Sequence, residues 1–536
     1  MIDLKQLALD EYNSPVTTAH HGISTGGTFW APRNFDNDET IVGRPFWNRY
    51  ATQFMFNPCF EFTPLPDCFH YRFTAIDCNQ KIHTFEAETP MALLTPIWGD
   101  LPEGNVELRV EALREDGTPR CLIGARYFYR MAPFGGPDAY PPKARSYREC
   151  ARMAIRFSYE MAPVQYWLTH GKPDPNYGLN IYPSKMSASI INTMLAYASM
   201  DSENAENAIQ IAKNVADYML TITYGNESPL KGLPPTYHMG FREPLDWDNN
   251  PLYKTLMMFY PAQMGLAYLK LADVTGDGRY VDAAMTIANY YRDHVLESGS
   301  WPLSCSVATG ESIYDNECIA DDIIPFLLDV YKRTGEPVWK ELVDNAHRHR
   351  SARMYTYHWE GQFEDSPASA EYSNLSHFGA DEMIKYIAQN MADDPEAIAQ
   401  AEDMMRYVED QFVVWGKHAP DNRWSRRAGR PVLSDDKADW VSPSALEQYH
   451  WYVPIDDSAA WIMDTFLSLY KATGKPLLLA KACALADSIT RVQNPKTGMI
   501  NTHWTRKTCQ TDNVDFWLNC HNHTAFFMLA MANALE

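Results

Sequence analysis

The stretch that decides the fold is FLLDVYKRTGEPVWKELV, residues 326–343, where an apolar helix runs into a Thr334-Gly335 hinge and a second helix follows. The same sentence is written in LAYLKLADVTGDGRYVDAA around Thr275 and Gly276, and in FLSLYKATGKPLLLAKA around Thr473 and Gly474. The first two hinges lie 59 residues apart and the last two 139, which leaves room for one further unit; Phe378 to Met405, with its ADDPEAIAQ hinge, fills it. A repeating helical hairpin is therefore expected. Apolar residues at helical spacing extend the pattern outward, with a first helix over Tyr147 to Met161 and hairpins beginning near Lys185, Pro261, Cys318, Phe378 and Asp457. WLNCHNHTAFFMLAMANAL closes the chain as a last helix. Twelve helices suit a closed double ring, six inner and six outer, and no polar capping repeat of the kind an open solenoid needs is visible.

Before about Arg130 the period changes from helical to alternating. CFHYRFTAI, KIHTFEAE, VELRVEALR and RCLIGARYFYR read as strands, and Asp116-Gly117 between the last two is a hairpin signal. The expected organisation is mostly α: an antiparallel β-sandwich over residues 1–131, a Pro- and Gly-containing linker over 132–145, and an (α/α)6 barrel over 146–536. A formal charge of −22 repels polyanions, which excludes nucleic acid as an expected partner. No run of eighteen apolar residues is present, so no membrane span is expected. The start MIDLKQLALDEYNS carries no secretory pattern; the reading is periplasmic or secreted if a signal peptide has been removed, and cytoplasmic otherwise. Ten scattered cysteines without a CxxC pair argue against a zinc ribbon or a disulfide scaffold. Aromatic residues reach 13%, with 15 Trp and 31 Tyr, more than a core demands and what a surface that stacks on sugar rings would use.

A β-sandwich followed by six helical hairpins resembles carbohydrate-active enzymes of the (α/α)6-toroid type: glycoside hydrolases, including gut-bacterial families that release uronic acids, and polysaccharide lyases. The resemblance implies a glycan substrate, acidic sugars included, and leaves a homo-oligomer open. In such a ring the loops entering the inner helices gather at one mouth. Here they are NYGLNIYPSK, YHMGFREPLDWDNN, TGESIYDNEC, FEDSPASAEYSNLSHF, EQYHWYVPIDD and DNVDFWLNCHNH, all polar and aromatic.

Glycoside hydrolysis needs two carboxyl groups, one protonated and one ionised. Shifting the chain by 139 lays Thr334 on Thr473, Glu317 on Asp456 and Cys318 on Asp457, so Glu317 and Asp456 form the leading pair. Acids at helix starts also serve as caps, and Asp457 before SAAWIMDTF reads that way. Asp321 and Asp322, within the next helix, supply a further candidate acid in Asp322, with His377 a candidate base. Glu371 and Asp248 rank second, and both stand as sugar-binding candidates. Arg242 and Lys185 would hold a uronate carboxylate. Tyr182, Trp247, Tyr449, Trp451 and Trp517 offer rings and hydroxyls, and Tyr237, His238, Tyr372 and His521 complete the polar set. Tyr237, His238 and Arg242, with Tyr372 and His377, would also suit a lyase, which removes the proton beside a uronate carboxylate. His521 and His523 stand two apart and would face different ways on a helix, so no metal pair is expected, and neither metal nor cofactor is assigned. DVTGDGRY starts like a calcium loop, but its sister hinges TGEP and TGKP make it a helix connector. The reading is a metal-independent glycoside hydrolase acting on a terminal sugar, with a lyase as runner-up and a non-catalytic glycan-binding scaffold as the third alternative.

Overall fold

The Thr-Gly hinges are built identically. Gly276, Gly335 and Gly474 take φ of 70°, 70° and 69°, the left-handed region open to glycine. Their N–H groups bond the carbonyls of Ala272, Tyr331 and Tyr470 at 2.7–2.8 Å, closing the outgoing helix. The threonine hydroxyl before each glycine donates back to Leu271, Val330 and Leu469 at 2.7–3.0 Å. The same oxygen accepts the N–H of Asp277, Glu336 and Lys475 at 3.3 Å, ahead of the next helix. One side chain thus ends one helix and steers the chain into its partner.

A computed structural model describes residues 2–14, 53–62, 64–238, 251–352, 362–363, 376–417, 424–425, 430–431, 441–447, 454–504 and 516–536. Helix α1 (Leu4–Tyr12) precedes a β region made of β1 (Gln53–Phe54), β2 (Cys59–Glu61), β3 (Tyr71–Ile76), β4 (Ile82–Ala87), β5 (Met91–Leu93), β6 (Gly104–Leu113) and β7 (Pro119–Arg130). Then come α2 (Tyr147–Glu160), α3 (Ala162–His170), α4 (Pro183–Met200), α5 (Ala205–Ile222), α6 (Tyr260–Thr275), α7 (Gly278–Asp293), α8 (Ile323–Thr334) and α9 (Pro337–Ala352). The chain ends with α10 (Phe378–Asn390), α11 (Pro395–Phe412), α12 (Asp456–Thr473), α13 (Pro476–Val492) and α14 (Leu518–Leu535).

Each inner helix, α4, α6, α8, α10 and α12, packs on the outer helix that follows it. Helix α14 is the sixth inner helix and pairs with α2, from the opposite end of this region. It also packs on α12 at one side and α4 at the other, so the ring closes. Inner helices bury most of their circumference; in α12 Ala459, Ala460, Ile462, Met463, Phe466, Leu467 and Leu469 are all buried. The expected first helix ends one residue early, at Glu160, and α3 follows it against α5, an addition outside the six hairpins.

The four strands expected from alternation are β3, β4, β6 and β7, and Tyr71, Phe73 and Ala75 face inward along β3. The sandwich is not clearly shown, and the expectation of a wholly antiparallel sheet is corrected. Among the described residues there is one five-stranded sheet, ordered β1-β7-β6-β3-β4, and a separate two-stranded pair, β2-β5. β1 runs parallel to β7, so the sheet is not wholly antiparallel. Its sequence gave no sign of this, because a two-residue strand carries no period. The sheet is tied to the ring at β1: Asp410 at the end of α11 accepts the N–H groups of Met55 and Phe56, and Gln53 and Gln411 exchange hydrogen bonds at 2.7–2.8 Å.

Candidate active site

All six inner helices start at the same end of the ring, so Pro183, Tyr260, Ile323, Phe378, Asp456 and Leu518 surround one mouth. Helix N-termini favour negative charge, which makes that end a suitable place to hold carboxylates. On one wall the rings of Tyr182 and Trp517 stack at 6.1 Å, and Lys185 Nζ lies 4.9 Å from Trp517 and 6.0 Å from Tyr182. Tyr237 continues the wall 5.7 Å from Tyr182, and Tyr253 meets Tyr237 at 5.3 Å.

About two turns inside the mouth, side chains of three inner helices meet. Lys385 on α10 donates to Glu382 at 3.1 Å and to Asp464 on α12 at 3.0 Å. Its ammonium also sits 4.3 Å from the Trp461 ring and 4.6 Å from that of Phe527 on α14. These carboxylates hold the lysine charged, against the burial that would neutralise it. Side chains from three inner helices, α10, α12 and α14, therefore form a charged and aromatic floor on this side of the ring.

The acids above this floor differ in environment. Asp322, the residue before α8, accepts a hydrogen bond from Gln263 on α6 at 2.9 Å. Burial pushes its carboxyl up to about 7; the Gln263 hydrogen bond opposes this, Glu382 adds to it, and His523 and Lys385 oppose it. Asp321 is also raised to about 7 by burial, although Arg350, 3.4 Å away, opposes the rise. On the α12 side, Asp456 is fully buried, and burial together with Asp457 drives it well above the usual carboxylate range, against the opposing effect of the neighbouring N–H groups and the Thr524 hydroxyl. Asp457 faces His523 on α14, with Nδ1 3.3 Å from Oδ1. That histidine is one-third exposed, the most open of the group.

Glu317 and Asp456 share a level in the sequence but not in space. Helix α8 begins at Ile323, six residues after Glu317, whereas α12 begins at Asp456 itself. The equal offset assumed helices of equal length; α8 has 12 residues and α12 has 18. Glu317 instead bridges to Pro302 and turns outward, where His349 of the outer helix α9 holds it at 2.8 Å. His377 is fully buried with both ring nitrogens engaged, by Asp381 and by Ser458. His521 is likewise enclosed: Nε2 bonds the Ala154 carbonyl at 3.0 Å, Nδ1 accepts the Ile500 N–H, and burial lowers it to about 4. His238, lowered by burial, is partly exposed beside buried Tyr237, and its N–H bonds Ile181. Arg242, Trp247, Asp248, Glu371, Tyr372, Tyr449 and Trp451 lie outside the described residues.

The sequence reading did not single out Gln263, Glu382, Lys385, Trp461 or Asp464, which the structure brings to this end of the ring beside His523. A signal existed: Glu382, Lys385 and Asp464 are charges inside otherwise apolar inner helices. Among the described residues no group of three or more His, Cys, Asp or Glu is arranged to hold a metal ion, and no helix is long and apolar enough to cross a membrane.

No protein-family model matches the chain, and no curated protein matches it. Similar solved structures include a family 76 glycoside hydrolase from a bovine Bacteroides thetaiotaomicron strain, 10% identical, covering 87% of this chain and 93% of that one with a TM-score of 0.45. A cellobiose 2-epimerase from Spirochaeta thermophila is 12% identical over 72% of this chain and 98% of its own, with a TM-score of 0.46. An unsaturated glucuronyl hydrolase from Streptococcus agalactiae is 12% identical over 76% and 98%, with a TM-score of 0.43. Likeness at this level leaves the chemistry to be argued from the residues of this chain.

Proposed function

We propose that this protein is a glycoside hydrolase that removes a terminal sugar from a glycan. The observation that carries the reading is a pair of carboxyl groups in different environments at the mouth of the ring, beside the stacked rings of Tyr182 and Trp517. Asp322 on one wall, pushed up to about 7, is suited to protonate the departing glycosidic oxygen. Asp457, oriented by His523, is suited to activate water or to attack the sugar. The cluster of Lys385, Trp461 and Phe527 below the mouth supports a short binding site, which suits attack at an end rather than within. Tyr182 and Trp517 supply the flat rings on which the apolar face of a sugar rests.

The floor lysine is already engaged by two carboxylates, so an acidic substituent on the glycan is better met at the rim, where Lys185 stands. The test is incubation with oligosaccharides ending in neutral sugars or uronates, followed by mass spectrometry and ultraviolet absorbance. Single saturated sugars released from the end support the reading. An absorbing unsaturated product marks elimination and overturns it, as does binding without turnover across the set.

A further inference from the structure

Behind the acid pair, three buried side chains connect α10 to α12. His377, directly before α10, lies with Nδ1 2.6 Å from Asp381 Oδ2 one turn further on, and with Nε2 2.8 Å from Ser458 Oγ. All three residues are wholly buried. Each ring nitrogen of His377 thus has one partner, Asp381 for Nδ1 and the Ser458 hydroxyl for Nε2, so the ring bridges the two helices. The order Asp–His–Ser is that of a nucleophilic triad, but Ser458 presents no surface to a substrate, so a nucleophilic role is excluded in this state.

What the connection does follows from where Ser458 stands. It is the residue after Asp457, in the first turn of α12. The first turn is the weakest part of a helix, since its N–H groups have no partner within the helix. Helices α2, α7 and α11 fasten theirs with Ser146, Asp277 and Asp394 as side-chain caps. Helix α12 has no such cap; Ile455 occupies that place. Yet this turn must keep the Asp456 carboxyl fully buried beside the carboxyl of Asp457, an arrangement that costs free energy and pushes the turn to open.

We propose that Asp381, His377 and Ser458 are positioning residues that replace the missing cap, locking the first turn of α12 to α10 and thereby fixing Asp456 and Asp457 in the pocket. The catalytic consequence rests on the hydrolase reading; the mechanical one does not. Two measurements separate them. Hydrogen exchange on Ser458→Ala should speed at least tenfold over residues 456–460 and stay within twofold over the later turns of α12, while Ser458→Thr, which keeps the hydroxyl, should restore protection. Unchanged exchange in the first turn, or equal loosening along the whole helix, overturns the proposal whatever the enzyme does. On a glycan that the native enzyme hydrolyses, Ser458→Ala should lower kcat roughly 10- to 100-fold with KM within twofold, since small misplacement of a reacting group costs that much. Ser458→Thr should recover part of it. Fast exchange with kcat intact would mean that the turn does not carry the chemistry, a failure of the Asp457 assignment rather than of the lock.

Discussion

Replacing Asp322 by Asn keeps the shape of the side chain and its contact with Gln263 but removes the proton donor. A general acid contributes on the order of 10²- to 10⁴-fold, so hydrolysis of a glycoside with a poor leaving group should fall by about that amount. A dinitrophenyl glycoside, whose leaving group needs no proton, should lose only about three- to tenfold. Because burial lifts Asp322 to about 7, the native enzyme should lose activity on the poor leaving group as the pH rises through that value, and the variant should lack this limb. Stability gives a second reading with a definite sign. A carboxyl raised in the folded state holds a proton there that the unfolded chain has released, so its contribution to stability declines as the pH rises from about 4 to about 7. At about 1.4 kcal/mol for each tenfold change in proton affinity the ceiling is on the order of 4 kcal/mol, which water in the pocket reduces. Asp322→Asn should therefore melt higher relative to the native protein at pH 8 than at pH 4, measured by calorimetry. Equal rate loss on both leaving groups, or a high-pH limb that survives the substitution, would refute the assignment of Asp322 as the acid.

Lys385→Met leaves Glu382 and Asp464 facing each other without their cation, and breaking a buried pair costs about 3–5 kcal/mol. The melting temperature should drop accordingly and recover when Glu382→Gln and Asp464→Asn are added; an unchanged melting point counts against the floor as described. Glu317→Gln should keep hydrolysis within about threefold of native, because that carboxylate is held by His349 on an outer helix; on the general-acid scale, a hundredfold loss would return it to the catalytic pair. Trp517→Ala should raise KM roughly 3- to 10-fold with kcat little changed, the amount expected for one lost stacking contact, and equal loss in both constants would argue that the ring positions rather than binds.

The ring was legible because its hinges use a chemical device, not merely a composition. Thr275, Thr334 and Thr473 each bond backward and forward through one hydroxyl, and the following glycine takes a φ that other residues resist. Such a local cause writes itself into adjacent residues, so it can be read without a partner. The strands β3, β4, β6 and β7 were legible for the same reason, since alternation is local. The short strand β1 was not: its pairing with β7 and its attachment to Asp410 are set by residues more than 75 and 350 positions away.

The site was less legible because its members are chosen by depth in the ring, and depth depends on where each helix begins. Counting back from the hinges assigns Glu317 and Asp456 to one level, but α8 starts late, so Asp322 rather than Glu317 stands directly before its first turn. Counting from helix starts would have found it, yet nothing near Glu317 marks the start; the turn at Ala320, with φ of 65°, is fixed by surrounding structure rather than by glycine or proline. The floor escaped for a different reason. Glu382 and Lys385 stand three apart and could be read as an ordinary surface pair on a helix. On an inner helix that reading fails, since neighbours crowd every face and an ammonium there needs partners from more than one element. Asp464 and the rings of Trp461 and Phe527 are those partners, and they come from α12 and α14. A charge in the middle of an inner helix therefore predicts its own partners: the place must be wet enough to tolerate the charge and crowded enough to need the pairing.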